Sequence, residues 1–272
     1  MDVRGWARRH EALIGWLARI GYVAKGLVFF SLGASTLRAA LGVGQLPDGV
    51  RGALATWANE PWGRGLLWSV AAGLLCYVVW LLCRAFLDAD GQGKGFLPLV
   101  RRLGCLTSAL TFLGAAGIAV QVAWRGWGQG DGNDPQMWVA WFLMLPLGPW
   151  LVGTAGVVLL GVLVNHLIVA FTGMFLMFVE VEHLPGWHTA LLRAAGLLGL
   201  LARGAVLGVI GVLLIRAALW DNAQASGGIG KVIRIVADDP SGLWLLGVLA
   251  FGLLCLGLYS FAQAWHRRVS LL

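Results

Sequence analysis

The sequence predicts an all-α, polytopic membrane protein: six transmembrane helices built as three parallel two-helix repeats around a pseudo-threefold axis. Three observations predict it. The first is composition: of 272 residues, 59% are hydrophobic and only 12% charged, and the mean hydropathy is +0.79. A soluble domain carries about 25% charged residues. A chain this apolar cannot cover itself with a polar surface, which excludes a soluble globular enzyme and a disordered chain. The second is six continuous apolar runs near the ~20 residues that cross a bilayer as helix. A membrane β-barrel would show shorter, alternating segments of about ten residues. The third is an internal repeat.

The first run spans about Ile20 to Leu41, the second Gly65 to Phe86, the third Leu103 to Trp124. The fourth spans about Leu151 to Phe175, the fifth Leu191 to Trp220, the sixth Leu243 to Trp265. An even number puts both termini on one side. On that side fall 13 of the 20 Lys and Arg: Arg4, Arg8, Arg9, Arg19, Lys25, Arg84, Lys94, Arg101, Arg102, Arg193, Arg203, Arg267 and Arg268. The richer side is expected in the cytoplasm, so the expectation is a multi-pass protein of the bacterial inner (plasma) membrane with both termini inside. The basic start, Met1 to Glu11, resembles a signal peptide. The run that follows is too long and no small-residue cleavage site closes it, so it reads as an uncleaved first span. The net charge of +7 needs no nucleic acid, because positive-inside bias and anionic lipid account for it. Trp57, Trp62, Trp124, Trp127, Trp138, Trp220 and Trp244 fall near outer ends, and Trp6, Trp16, Trp187 and Trp265 near inner ends, as interfacial belts require.

The repeat is read by aligning odd-numbered spans at offsets of 83 and 178 residues. Gly21 then matches Gly104 and Gly199, and Lys25 matches Ser108 and Arg203. Leu37 to Leu41 matches Ile215 to Leu219. Even-numbered spans align at offsets of 85 and 179, so that Pro61 matches Pro146 and Pro240, and Gly63 matches Gly148 and Gly242. Gly73-Leu74-Leu75-Cys76 matches Gly252-Leu253-Leu254-Cys255, and Ala85 matches Ala170 and Ala264. The units are residues 1–92, 93–180 and 181–272. Each holds two spans, so all three share one orientation, unlike the inverted repeats of many transporters.

One face of the odd spans carries small residues every seventh position: Gly26, Gly33 and Ala40; Ala109, Ala116 and Ala123; Gly204, Gly211 and Ala218. That spacing keeps one face toward a neighbour, and small residues let helices approach closely in lipid. These nine are expected to be packing residues. Between the two spans of each unit, Leu46 to Pro61, Asp131 to Pro146 and Ser226 to Pro240 correspond. In the first, Val50, Leu54 and Trp57 share a helical face while Arg51, Asn59 and Glu60 are polar, which predicts a short amphipathic helix in the outer interface, ended by Pro61.

The stretch Ala18-Arg19-Ile20-Gly21-Tyr22-x-x-Lys25-Gly26, with Leu37-Arg38-Ala39-Ala40-Leu41, resembles the opening of the bacterial membrane family known as domain of unknown function 1206. Pro61-Trp62-Gly63-Arg64-x-Leu66-Leu67 and Ala72-Gly73 are similar to its second helix. The resemblance implies three tandem two-helix copies over nearly the whole chain. The middle copy departs most, with Cys105 and Ser108 where Tyr22 and Lys25 stand. The family implies fold and location, but no activity and no catalytic residues.

Few residues carry candidate chemistry. Lys25 and Arg203 occupy equivalent places, expected about a turn and a half inside their helices. Snorkelling to the nearby interface explains them; a cytoplasm-facing anion or phospholipid-headgroup site formed with Arg19 and Arg102 is the alternative. Arg38 and Arg216 sit equivalently at outer ends. Asn165 and His166 lie deep in the fourth span, where an interhelical hydrogen bond is expected and a pore-lining or cofactor-ligating histidine is the alternative. A haem would need a second axial ligand at that depth, and no other His is there. Glu180, Glu182, His183 and His188 fit no metal motif and read as a solvated loop. Cys76, Cys83, Cys105 and Cys255 form no Cys-x-x-Cys pair and read as reduced packing residues. Gly227 to Val232 lacks the spacing of a phosphate loop.

The expectation is a non-enzymatic structural, accessory or lipid-binding membrane subunit, without cofactor or metal. Its partners would be the bilayer, anionic phospholipid and other membrane protein subunits, with no nucleic acid. The competing expectation is a small-solute or ion transporter or channel with a cavity on the pseudo-threefold axis.

Overall fold

A computed structural model describes residues 11–58, 60–87, 96–125, 135–176, 185–239 and 241–266. Within them are α1 (Glu11–Ala40), α2 (Gly49–Ala58), α3 (Gly63–Leu87), α4 (Phe96–Arg125), α5 (Pro135–Leu143), α6 (Gly148–Thr172), α7 (Gly186–Leu219), α8 (Ile229–Ala237) and α9 (Gly242–His266). Six of these, α1, α3, α4, α6, α7 and α9, are long and apolar enough to cross a membrane. They pack in chain order as a ring, with α9 closing against α1. The end where α1 starts and α9 finishes is called proximal below, and the opposite end distal. The expected repeat boundaries near residues 92 and 180, Asn59, Pro240, Trp6, Trp127 and the Glu180–His183 cluster lie outside the described residues.

Odd-numbered spans begin earlier than their apolar runs. The first starts at Glu11 rather than near Ile20, and the fifth at Gly186 rather than near Leu191. Polar residues do not interrupt backbone hydrogen bonding, so a helix continues past the edge of its apolar stretch. The fourth span stops short: Gly173 adopts φ 69° as a left-handed cap. Phe175, expected inside the span, instead sits in a 3-10 turn, Met174–Leu176. Glycine carries that positive φ without the steric cost of a β-carbon.

The three units turn between helices in one way. The Gly63 N–H donates to Glu60 O (2.9 Å), Gly148 N–H to Leu145 O (2.8 Å) and Gly242 N–H to Asp239 O (2.7 Å). A β-carbon at these glycines would meet the carbonyl oxygens of Trp57, Phe142 and Val236 at 1.6, 2.3 and 2.4 Å. The same offsets relate all the partners, so the Pro-x-Gly pattern is a folding requirement of each unit's turn.

Units join through the small-residue stripes. On α1, a β-carbon at Gly26 would lie 2.7 Å from the Phe261 ring, and one at Gly33 2.7 Å from Leu254 N and 3.0 Å from Ala250 O, all on α9. On α7, Gly204 meets His166 Cβ at 3.3 Å and Gly211 meets Gly156 O at 2.9 Å, both on α6. On α4, Ala109, Ala116 and Ala123 are buried in one cluster with Leu74, Tyr77 and Leu81 of α3. Ala40 packs beside Leu32 and Ile233, and Ala218 reaches Gly153. Each stripe therefore faces the second span of the preceding unit, with α9 preceding α1 around the ring.

The distal end is capped. Leu54 and Ala53 of α2 and Ile233 of α8 are fully buried. Arg234 of α8 reaches Asp48, at the start of α2, at 3.3 Å. Lys231 donates to the carbonyls of Gln224 and Ser226. Exposed Trp62, Trp124, Trp150, Trp220 and Trp244 surround the distal end, and Trp16, Trp187 and Trp265 the proximal one, an interfacial belt at each side. Among the described residues the four cysteines are unpaired.

Because a β-carbon at Gly33 would meet the backbone of Leu254 and Ala250 as well as the Leu254 side chain within 3.0 Å, moving a side chain alone cannot make room for Gly33→Leu. It is expected to cost at least the ~3 kcal/mol at the top of the usual overpacking range. Gly114, beside which a β-carbon meets nothing within 4 Å, is the control. In detergent, Gly33→Leu should melt well below wild type or lose monodispersity, while Gly114→Leu should not. Equal behaviour would contradict the packing described.

Candidate functional site

The ring is not evenly tight. Within the first unit, a β-carbon at Gly21 would stand 2.6 Å from Tyr77 Cα, and within the third, one at Gly199 would stand 2.7 Å from Leu256 Cα. In the middle unit the equivalent Gly104 finds only Val162 Cγ2, at 3.9 Å. A second pair of contacts explains the difference. Gly73 accepts Ala24 and Gly252 accepts Ala202, with β-carbon separations of 2.6 and 2.4 Å. The corresponding residues in the middle unit are Val158 and Thr107, two β-branched side chains that hold α4 and α6 apart. Coverage follows: 28% of the apolar window of α4 and 17% of that of α6 is buried, against 39–50% for the other four spans.

Side chains that would fill the gap are also missing there. In the first unit Tyr22 packs edge-on against Tyr77 at 5.1 Å, and Trp80 Nε1 donates to Tyr22 Oη at 3.3 Å. In the third, Tyr259 stands at the Trp80 position, donates to Phe175 O at 2.9 Å, and accepts from Gln263 Nε2 at 3.3 Å. In the middle unit the Tyr22 and Trp80 positions hold Cys105 and Asn165. Two rings fewer leave a cavity of about 190 Å³ on the axis, lined from all six spans.

The lining is basic. Lys25, Arg84, Arg102 and Arg203 all border the cavity, and among the described residues that line it there is no carboxylate. Lys25 and Arg203 are 5% and 9% exposed. The Arg203 guanidinium donates to Ser108 Oγ across the bundle at 3.1 Å and lies over Phe112 and Phe29, 5.3 and 5.7 Å from the ring centroids. Lys25 Nζ lies 5.5 Å from the ring centroids of both Tyr22 and Tyr77. Such cation–π contacts offset part of the desolvation of a buried cation.

Two acceptors complete the lining. Gln263 is 8% exposed and its Oε1 is buried with no hydrogen-bond partner. His166 Nδ1 lies 2.8 Å from Val162 O. A carbonyl only accepts, so Nδ1 carries the proton and Nε2 is the acceptor. That bond is within one helix, not between helices as expected. Asn165 lines the same cavity.

Of the expected headgroup set, Lys25, Arg102 and Arg203 converge and Arg19 does not. Arg19 is exposed and lies against Trp16, 5.5 Å from its ring centroid. Six residues separate Arg19 from Lys25, which turns a helix by about 240° and points the two to different sides. Arg84 takes its place, and its pattern was readable: Tyr77, Leu81 and Arg84 share one face at i, i+4 and i+7. Snorkelling is also corrected. With α1 starting at Glu11, Lys25 lies about 21 Å along the helix, and its neighbour Ala24 touches Gly73, near the midpoint of α3. The side chain turns inward because the interface is out of its reach. Arg38 is exposed and Arg216 lies 4.7 Å from the Trp220 ring centroid, both at the distal end. His188 stacks on Trp187, and among the described residues no group of three His, Cys, Asp or Glu is placed to hold a metal ion.

The asymmetry of the ring has a measurable consequence. Gly21→Ala and Gly199→Ala each force a β-carbon onto backbone and should cost about 1–3 kcal/mol, a drop of several degrees in Tm. Gly104→Ala has room and gains up to about 1 kcal/mol of helix propensity, so its melting point should match or exceed wild type. Three equal losses would show the middle unit to be as closed as the others.

Comparison with known proteins agrees with this repeat structure. A family model described as Domain of Unknown Function (DUF1206) matches three tandem segments, residues 20–88, 103–173 and 198–267. Each segment holds one pair of spans. The "Uncharacterized protein YxxB" of Bacillus subtilis (strain 168) is 28% identical over 270 residues, covering 99% of this chain and 94% of that protein. No solved structure matches the chain. With most of its length matched in three successive copies, this six-span membrane protein belongs to the Domain of Unknown Function (DUF1206) family.

Proposed function

We propose that this protein is a non-enzymatic membrane subunit that binds an anionic phospholipid headgroup in the axial cavity. Its setting in this reading is the bacterial inner membrane, with the termini and the proximal end on the cytoplasmic side. The observation that carries the reading is the convergence of Lys25, Arg84, Arg102 and Arg203 on one cavity lined from all six spans. Cations inside a membrane are expensive and mark a binding function by default. A phosphate group answers them with charge and with several acceptor oxygens at once. The excess of Lys and Arg on the side of the termini supports the orientation.

Transport is the second reading, and the cavity is the observation in its favour. The distal half of the bundle weighs against it. Phe29 and Phe112 lie one turn beyond the cation layer, beneath the Arg203 guanidinium. Leu32, Thr36 and Ala119, on the same helical faces further out, are fully buried, as are Ala53 and Ile233 in the cap. A blind cavity supports holding a ligand better than passing one through.

Protein extracted from its native membrane in mild detergent should carry anionic phospholipid at above its membrane proportion when bound lipid is profiled. Lys25→Gln and Arg203→Gln each remove a charged hydrogen-bond donor worth about 1.5–3 kcal/mol. Each should therefore weaken retention by about 10- to 100-fold. A bound-lipid profile identical to the bulk membrane, unchanged by either substitution, would refute the reading. Steady turnover of any substrate by the purified protein would refute its non-enzymatic part.

A further inference from the structure

The cavity is bordered differently on its several sides. On the distal side Phe29 and Phe112 lie against the Arg203 guanidinium, with the fully buried Leu32 and Thr36 beyond them. On the proximal side Met174 and Phe175, carried by the 3-10 turn after α6, border the cavity, and the Phe175 ring is wedged against Gly196 and edge-on to Tyr259 at 5.5 Å. Five of the six inter-span contacts in the ring are close, four through glycine, as at Gly21, Gly26, Gly199 and Gly211, and that of α3 with α4 through the buried Ala109, Ala116 and Ala123. The α4–α6 seam is not. Cys105 and Ser108 of α4 and Val162, Asn165 and His166 of α6 border the cavity from both sides of that seam. Next to them Leu103, Leu110, Val164 and Ile168 are exposed on the outer faces of the same two helices, where lipid chains would lie.

We propose that the cavity is loaded sideways from the bilayer, through the α4–α6 seam, by a phospholipid whose headgroup is an anionic phosphodiester bearing hydroxyl groups. This rests on the headgroup reading above and adds a route and a headgroup class. Size supplies the first reason. At about 190 Å³ the cavity is below the ~300 Å³ at which pockets for whole drug-sized molecules begin. It takes a headgroup and must leave the acyl chains outside, and the seam is the side that faces lipid. The lining supplies the second. Four cations select the phosphate and repel an ammonium, which disfavours a zwitterionic headgroup. The buried, unpartnered Gln263 Oε1 and the acceptor Nε2 of His166 require donors, and a bare phosphodiester has none. A glycerol headgroup brings hydroxyl donors to both.

The test uses the full chain with Cys76, Cys83, Cys105 and Cys255 replaced by Ala, in nanodiscs of phosphatidylcholine doped with phosphatidylglycerol, phosphatidic acid or phosphatidylethanolamine. The pair Gly104→Cys and Val162→Cys spans the seam where a β-carbon at 104 comes nearest to α6, 3.9 Å from Val162 Cγ2. In the wild-type chain, phosphatidylglycerol should be retained at least 10-fold better than phosphatidylethanolamine. Oxidation of the introduced pair should slow its exchange at least 10-fold, and added reductant should restore it. Gln263→Met should narrow the preference for phosphatidylglycerol over phosphatidic acid by about 10-fold while both still bind. Unslowed exchange in the oxidised protein overturns lateral loading while leaving headgroup binding intact. Full competition by soluble sn-glycerol 3-phosphate or inorganic phosphate at the oxidised seam overturns it too and assigns the site to a free anion. Absence of any phospholipid or phosphate binding by the wild-type chain removes the underlying headgroup reading itself.

Discussion

Close backbone approach is what this fold depends on. Between helices in lipid there is little hydrophobic drive, because acyl chains solvate Leu and Phe as well as another helix does. Association then rests on van der Waals contact at short range. Glycine at Gly26, Gly33, Gly204 and Gly211 supplies that range between units, and at Gly21, Gly73, Gly199 and Gly252 within two of them. The Pro-x-Gly turn sets the start of each second span against the carbonyl of its short helix. Where the pattern is kept the ring is tight. Where Val158 replaces the Gly73 equivalent, the two helices separate and the cavity opens beside them.

Much of this was legible in the sequence, and the part that was not has a physical cause. Six spans, three units and the seven-residue stripe follow from hydropathy and period, because each is a property of one helix or of a fixed offset. The direction a residue faces is harder when a helix outlasts its apolar run. Lys25 read from Ile20 is near an end, whereas read from Glu11 it is near the middle of its helix, and only the second reading sends it inward. Arg19 and Arg84 exchanged roles for a related reason. A headgroup set chosen by depth alone ignores that six residues turn a helix most of the way to its other side. The cavity itself was half visible. Cys105, Ser108 and Asn165 are each visible in the sequence as departures of the middle unit. Their sum is lost volume at one place, which needed the three units superposed in space.

The energetics of the site follow from the same departures. A Lys and an Arg each desolvated inside a bundle carry a penalty of several kcal/mol. Tyr22, Tyr77, Phe29 and Phe112 return some of it through their ring faces. Those aromatic residues belong to the first and middle units. Arg203, which comes from the third unit, has to cross the bundle to reach Ser108. That reach is open because Ser108 is short: a third long cation at its position would meet the other two on the axis. Reducing one of three equivalent cations to a hydroxyl therefore lowers repulsion and gives Arg203 an acceptor in a single change.

A perfect threefold ring of this unit would have no site. Three copies of Tyr22, Trp80 and Gly73 would draw every pair of helices together and fill the axis with rings, leaving the cations no room and no route. The function proposed here resides in the copy that fits its own pattern worst. Degeneracy in the middle unit is then what distinguishes a binding protein from a packed bundle. It also explains why helix-packing signals dominate the chain while chemical ones are few: two units and all three turns maintain the frame, and one unit is left to differ. On this view the residues that matter for the ligand divide between positions where the units disagree, such as Ser108, Asn165, His166 and Gln263, and the shared cation layer of Lys25 and Arg203 that those disagreements uncover.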